Sequence, residues 1–391
     1  MSQSQRYRAV VIGAGVVGLA AAWHLLRLGC RPVAVLERFR IGHSSGSSHG
    51  SARMTRSTYA TPAYAALMRH VRGEEWPRLE RAAGATLVHP ADVVFFGPDR
   101  VALRAYAAAV EKAGVAVERV SLAEARQRFP SLRFPDDGEI LQDRTGGVIA
   151  AEDTIRALAR LVGMDGGVVL EDTRVRAVEP DADLIRVVSE HTIFQAERVV
   201  VAAGAWVPEL VPVTRGAVTV VPQTVAYVRL AVPARRLPSW VHFGDAPRHV
   251  TYALPEVGRD ALKVGHHATK GPAANPDAIA PPRDDEVASI RDALGEILGV
   301  PVLEMLGSER CLYSMTPTED FVIDRWPGEP RIVYASACSG HGFKFAPLTG
   351  RLLAELAVHG KADLPTGGDV ASMFALQRDA GQPAIGAVTQ R

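Results

Sequence analysis

The first forty residues constrain the chain more than any other stretch. Val10 to Ile12 is an apolar run that reads as a buried parallel strand. It passes directly into Gly13-Ala14-Gly15-Val16-Val17-Gly18, and Leu19 to Leu28 then carries the apolar face of a helix. The spacing gives each glycine a physical task. Gly13 turns the chain, Gly15 lets a pyrophosphate approach the backbone, and Gly18 lets helix and strand pack closely, with phosphates at the positive end of the helix dipole. A second strand, Val33 to Leu36, ends on Glu37, about 20 residues beyond the last glycine, where a carboxylate accepts hydrogen bonds from a ribose. The expected ligand is a dinucleotide with an unphosphorylated ribose, FAD or NAD. G-x-G-x-x-G alone also fits a glycine-rich turn of an unrelated α/β domain; the register of strand, glycines, helix, strand and acid is the stronger signal.

At 391 residues the chain exceeds a single simple core, and roughly 150 residues per domain predicts two or three domains. A net charge of +1 from 44 basic and 43 acidic residues, with no polybasic block, gives no footprint for nucleic acid or an anionic membrane. The uncharged run Ala9 to Trp23 follows Arg6 and Arg8 as a secretory leader would, but the glycine spacing and Glu37 account for it better. No other apolar stretch reaches the roughly 18 residues of a membrane span, so a cytoplasmic protein is expected. Cys30, Cys311 and Cys338 form no C-x-x-C pair, which predicts neither a disulfide framework nor a metal site. Of the 44 basic residues only five are lysines: Lys112, Lys263, Lys270, Lys344 and Lys361. In so arginine-rich a chain, a lysine can mark a place that needs a compact, tunable ammonium.

Beyond Glu37, the loop Ile41 to Arg56 is dense in serine and glycine and locally basic through His43, His49, Arg53 and Arg56. As a loop after the second strand of a dinucleotide fold it lies near the ligand-binding edge of the sheet. Thr61 to Ala83 reads as one long helix, Val101 to Ala113 as another, and Ser121 to Arg128 as a capped one. Short β runs follow between Val168 and Ala202, and again from Thr219 to Leu230, His249 to Tyr252 and Ala261 to His266. Asp284 to Leu298 and Phe343 to Val358 are helical, and the tail from Ala380 is expected to fray. The change from βαβ pattern to strands and isolated helices predicts a discontinuous dinucleotide domain (1–85, 145–215 and 325–391) and a second domain (86–144 and 216–324).

Four further motifs recur in order: Ser48-His49-Gly50 with Arg53 and Arg56, Leu262-Lys263-Val264-Gly265-His266-His267, Cys311-Leu312-Tyr313-Ser314-Met315-Thr316-Pro317, and Ser339-Gly340-His341-Gly342-Phe343-Lys344-Phe345. With these the chain resembles, over essentially its whole length, the monomeric sarcosine oxidase and N-methyltryptophan oxidase family of flavoprotein amine oxidases. The resemblance implies an α/β fold whose FAD-binding Rossmann-like domain is of the glutathione-reductase type, joined to a discontinuous β-rich (α+β) substrate domain. It implies oxidation of a secondary α-amino acid, N-methyl or cyclic, by hydride transfer to flavin, with an imine product and reoxidation by O2 to hydrogen peroxide, in a monomer.

Cys311 then corresponds to the residue that carries FAD through a thioether, and the adjacent Arg310 is expected to favour its thiolate; by itself an isolated cysteine reads as a small buried hydrophobe. Arg56 and Lys344 correspond to the pair that binds the substrate carboxylate, a charge-assisted clamp that orients the substrate. At the start of a helix Lys344 opposes the dipole unless an anion shares the site. Lys263 corresponds to the lysine that promotes the reaction with oxygen, although a lysine in an apolar strand can also be half of a buried ion pair. Tyr252, His267 and Tyr313 match pocket residues, and His49 and Arg53 match residues near the flavin ring. Gly13, Gly15, Gly18, Glu37, Arg38, Ser45, Val175, Gly204, Gly340, Gly342 and Lys344 complete the expected cofactor contacts. Ser48 departs from the family's frequent histidine, and Leu237 to His249 does not align cleanly, which leaves substrate size open. Competing readings are a dehydrogenase or desaturase acting on a cyclic amino acid, and a flavin-binding subunit without turnover.

Overall fold

The computed structural model describes residues 5–244, 250–267, 271 and 273–376. The opening strand, Gln5–Ile12, pairs in parallel with Val33–Leu36 on one side and Ile193–Val201 on the other, and Val168–Leu170 extends the sheet beyond Val33–Leu36. Ile193–Val201 also pairs in parallel with Glu329–Ser336, which carries Val322–Trp326 at its far edge. An antiparallel meander through Ile185–Ser189 and Val175–Pro180 completes eight strands. Val10 and Val11, like Val199 to Val201, are fully buried, as expected for strands covered on both faces.

Helix Val16–Arg27 is buried from Leu19 to Leu26 almost without interruption, because helices lie on more than one side of it. It packs against Ala151–Met164 and, more intimately, Ala346–His359. Small residues set that approach: a Cβ added at Gly350 would lie 2.5 Å from the Cβ of Ala20. Ala346–His359 therefore closes the core begun by the first thirty residues.

A second eight-stranded sheet runs in the order Val302–Met315, Thr219–Leu230, Leu262–His267, Val250–Pro255, Ser239–Phe243, Val93–Phe96, Leu141–Asp143, Val117–Arg119. Its far face packs under the helix Asp284–Ile297 through Ile290, Leu294 and Ile297. Ala52–Thr55, Gly147–Ala150 and Val88–Pro90 form a separate three-stranded sheet. The α/β class expected from the sequence is present.

Two elements depart from expectation. The helix over Thr61 to Ala83 is interrupted: Pro62–His70 and Trp76–Ala83 are joined by a widened turn at Val71–Glu75. Pro77 lacks the N–H that would bond one turn back, so the helix widens there and buries Glu75, which Arg351 (2.9 Å), Arg78 (3.0 Å) and His70 (3.1 Å) surround. The helix expected from Phe343 begins at Ala346, with a tight turn at Phe343–Phe345 before it, and a further short helix, Val370–Phe374, follows. Lys344 thus sits ahead of Ala346–His359 and not in its first turn. His249 and the tail from Ala380 lie outside the described residues.

Candidate active site

Between the two large sheets runs one cavity of about 590 Å³, within the range usual for small-molecule sites. Of the site residues expected from the sequence, Gly18 and Ser45 alone are off its wall. Gly18 serves packing: a Cβ there would meet the carbonyl oxygen of Gly13 at 1.9 Å. Ser45 is exposed and its N–H donates to His43 Nδ1 at 3.1 Å, while Ser47 and Ser48 face the cavity instead. The expected contact at Ser45 is thus two residues short of the serines that line the cavity.

At one end Gly13 has φ +102°, a conformation that side chains resist, and the backbone of Ala202 leaves no space for one. Gly15 caps helix Val16–Arg27 with no side chain, so the helix start at Gly15, Val16 and Val17 faces the cavity and, among the described residues, is met only by Ser48 Oγ, 3.2 Å from the N–H of Val16. This is an anion cradle of the kind that holds a pyrophosphate. Glu37 is buried and accepts from the N–H of Ala14 (2.7 Å) and of Phe39 (3.0 Å), so it ties the glycine turn to the second strand while facing the cavity. Arg38 lies over the rings of Phe39 and Trp206 and pairs with Asp277 at 2.8 Å. Val175 and Gly204 complete this end.

Arg53, midway along, donates to three backbone carbonyls, of Ala52 (2.9 Å), Ser47 (2.9 Å) and His49 (2.5 Å), and so is a fixed cation. His49 is buried, with Nδ1 2.9 Å from Gly46 O; burial, with Arg53 second, lowers its pKa to about 4. Cys311 is a free thiol on the strand Val302–Met315. Strand alternation sends Arg310 away from it: its guanidinium is held by Glu286 (2.8 Å), Ala280 O (3.0 Å) and Pro281 O (3.1 Å). Arg310 is therefore not the cation that acts on Cys311. Lys263 lines the same stretch of cavity wall as Cys311.

Lys263 is 4 % exposed, and burial, with Arg53 second, lowers its pKa to about 8. Tyr252 and Tyr313 are hydrogen-bonded to each other, and burial pushes Tyr252 up to about 12 and Tyr313 well above the ordinary phenol range. His267 Nε2 lies 3.5 Å from Glu319 Oε2. The rings of Tyr313 and His267 leave no room for a side chain at Gly340, where φ is +75° and a Cβ would come within 2.5 Å of Tyr313.

At the other end Lys344 is 7 % exposed and donates to Tyr59 Oη (3.2 Å) and His341 O (3.3 Å), which leaves one of its three N–H groups uncommitted among the described residues. Burial, then Arg56, holds its pKa well below the lysine range. Tyr59 Oη is 3.2 Å from His341 Nδ1, and His341 Nε2 is 3.0 Å from Glu319 O. Burial and Lys344 keep His341 neutral. The pattern assigns its proton to Nε2, so Tyr59 donates to Nδ1 and offers its oxygen to Lys344.

Arg56 donates to Thr58 O, hydrogen-bonds Tyr106 and stacks over Tyr59 at 4.2 Å. Asp143 fixes the turn behind it, accepting from the N–H of Ser57 (2.7 Å) and of Thr58 (3.0 Å). Among the described residues no carboxylate lies within 4.0 Å of Arg56 or Lys344. Two adjacent cations without a counter-ion are a receptor for an anion.

Sequence reasoning missed Glu309, Glu319, Tyr59, Tyr106 and His341. Glu309 had a signal, since alternation places it on the Cys311 face; Tyr59 and Tyr106 had none, because their segments reach the cavity only in three dimensions. Among the described residues no three metal-ligating side chains cluster, and no helix is long and apolar enough to cross a membrane.

Residues 8–356 match the family of FAD dependent oxidoreductases (DAO). Over 91 % of this chain and 93 % of the other, the sequence is 33 % identical to human peroxisomal sarcosine oxidase. It is 29 % identical to the N-methyl-L-tryptophan oxidase of Yersinia pestis, over 95 % and 99 % of the two chains. The solved structure of NikD, described as an unusual amino acid oxidase essential for nikkomycin biosynthesis, superposes with a TM-score of 0.85 at 25 % identity, over 96 % and 98 % of the chains.

Proposed function

The chain belongs to the family of FAD-dependent oxidoreductases, and on that premise we propose that it oxidises the CH–NH bond of a secondary α-amino acid, N-methyl or cyclic, and returns the electrons to O2 as hydrogen peroxide. The observation that carries the substrate class is the Arg56 and Lys344 pair, buried at one end of the cavity with no carboxylate partner among the described residues. A substrate carboxylate supplies the missing charge and is oriented by it.

The residues fit FAD. Its pyrophosphate belongs at the uncapped helix start beside Gly13 and Gly15, its ribose at Glu37, and its ring between Arg53 and the Cys311 to Lys263 wall. When bound, FAD supplies the two-electron acceptor. The chain's own side chains do the rest. Arg53 sets a fixed positive potential, the Tyr252 and Tyr313 phenols stay protonated and present hydrogen bonds, and Lys263 supplies the charge that assists oxygen. We assign Cys311 to covalent attachment of the flavin. The wall beside Arg56 is apolar: Phe243 packs on Tyr106 at 5.2 Å, with Val241 and Val250 in the same cluster. That lining favours a substrate with a ring or an apolar body.

Lys263 argues against a dehydrogenase or desaturase with another acceptor, and the cation pair argues against a subunit without turnover. The expected monomer, acting in the cytoplasm, is part of this reading; the name monomeric sarcosine oxidase borne by relatives supports the first half of it. The test is anaerobic addition of N-methyl and cyclic amino acids to the yellow protein, followed by air. Bleaching and rapid recovery are expected, with an FAD-sized mass on the Cys311 peptide. A flavin that no secondary amino acid bleaches would end this reading.

A further inference from the structure

Lys263 has a counter-ion that comes from a different strand. Leu262–His267 pairs with Thr219–Leu230 so that Lys263 stands opposite Tyr227, and Thr219–Leu230 pairs with Val302–Met315 so that Val225 stands opposite Glu309. Residues two apart on a strand share a face, so Lys263, Tyr227 and Glu309 meet on one side of the sheet. Tyr227 Oη donates to Glu309 Oε1. The same oxygen lies 4.0 Å from Lys263 Nζ and 3.6 Å from His49 Nε2.

We propose that Glu309, anchored by Tyr227, is the positioning residue that keeps Lys263 protonated and aimed into the cavity. The assignment rests on the reading of Lys263 as the oxygen-assisting charge. Every charged or titratable group around Lys263 bears on it. Burial and Arg53, from the strand Ala52–Thr55, oppose the ammonium; Cys311, Glu256 and Glu309 favour it. The charge of Cys311 is lost once its sulfur is a thioether. Glu256, the stronger of the two carboxylate influences on Lys263, engages Ser51 Oγ (2.5 Å) and Arg259 (3.4 Å) through Oε2 alone, and its buried Oε1 is unpartnered among the described residues. It lies beyond 4.0 Å of Nζ, which is why it is the control for Glu309. His49 is neutral at ordinary pH, and with its Nδ1 proton given to Gly46 O its Nε2 is an acceptor, so it cannot balance Glu309. Glu309 is the one carboxylate among the described residues within 4.0 Å of Nζ, and Lys263 is its natural cation.

The five lysines make this measurable. In holoenzyme grown on ε-13C-lysine, the resonance absent from Lys263→Met reports Lys263 directly. Its titration midpoint is expected to fall by about one pH unit or more in Glu309→Gln, tenfold in proton affinity, and by less in Tyr227→Phe, which frees the carboxylate without removing it. The alkaline limb of the oxygen reaction of the substrate-reduced enzyme is expected to shift by the same amount. A midpoint unchanged in both variants, or moved as far by Glu256→Gln as by Glu309→Gln, overturns the assignment to Glu309. If Lys263→Met reacts with oxygen as fast as the native enzyme, the reading of Lys263 fails instead, and the resonance still judges the pairing.

Discussion

Two lysines are buried in the same cavity, and their surroundings differ in one respect. Lys263 has Glu309 at 4.0 Å; Lys344 has a tyrosine oxygen, a carbonyl and a second cation, Arg56. Burial depresses both, but one charge is balanced from within the chain and the other is left for something to be brought in. A permanently balanced ammonium suits a neutral small molecule that acquires charge as it reacts, as oxygen does. An unbalanced pair suits a ligand that arrives charged. The same residue type thus serves two tasks, and the location of the nearest carboxylate decides which.

The comparison breaks most visibly at the unbalanced end. Lys344→Met is expected to lower kcat/KM for the amino acid roughly a thousandfold, chiefly through KM, because a charge-assisted contact and the substrate's orientation are lost together. Arg56→Met should do nearly the same, and a loss below tenfold in both, by stopped-flow reduction, would remove the clamp. At the balanced end, Lys263→Met should slow the oxygen reaction roughly a hundredfold while leaving reduction by substrate within about twofold. Equal losses in both half-reactions would erase the distinction between the two lysines.

Stability carries the next largest effect. Lys263 releases its proton near pH 8 in the folded protein, whereas the unfolded chain keeps it to the ordinary lysine range. Between these values the unfolded state binds more protons, so unfolding free energy rises with pH, by about 2 kcal/mol from about pH 7.5 to 9.5, and the gain disappears as pH falls through 8. Urea unfolding of the substrate-free protein should follow that slope, and Lys263→Met should flatten it; Lys344 contributes with the same sign. The smallest change is Tyr59→Phe, which removes the oxygen 3.2 Å from Lys344 and should weaken binding of an unreactive carboxylate inhibitor about fivefold, near 1 kcal/mol. An unchanged inhibitor affinity would detach Tyr59 from the clamp.

The dinucleotide end was legible because its requirements are local. The turn at Gly13, the contact of Gly18 with Gly13 and the acid at the end of the second strand all lie within some thirty residues, and backbone geometry ties each residue type to its place. The reacting end was legible only through four separated motifs, whose order in the chain says nothing of their distances. Two local inferences failed there for physical reasons. Arg310, next to Cys311 in sequence, is turned to the opposite face by strand alternation and bound by Glu286. Ser45 is two residues short of the serines, Ser47 and Ser48, that line the cavity.

The sequence by itself determined the fold class, the dinucleotide cradle and the residue types of the chemistry, since strand and helix periods and glycine spacing act over a few residues. Only the tertiary structure decided which cations are balanced. Glu309 reaches Lys263 across two strand pairings, and Arg56 and Tyr59 meet Lys344 from a segment nearly three hundred residues away in the chain. Charge compensation depends on distances of a few ångströms between residues with no sequence proximity, and folding alone sets those distances.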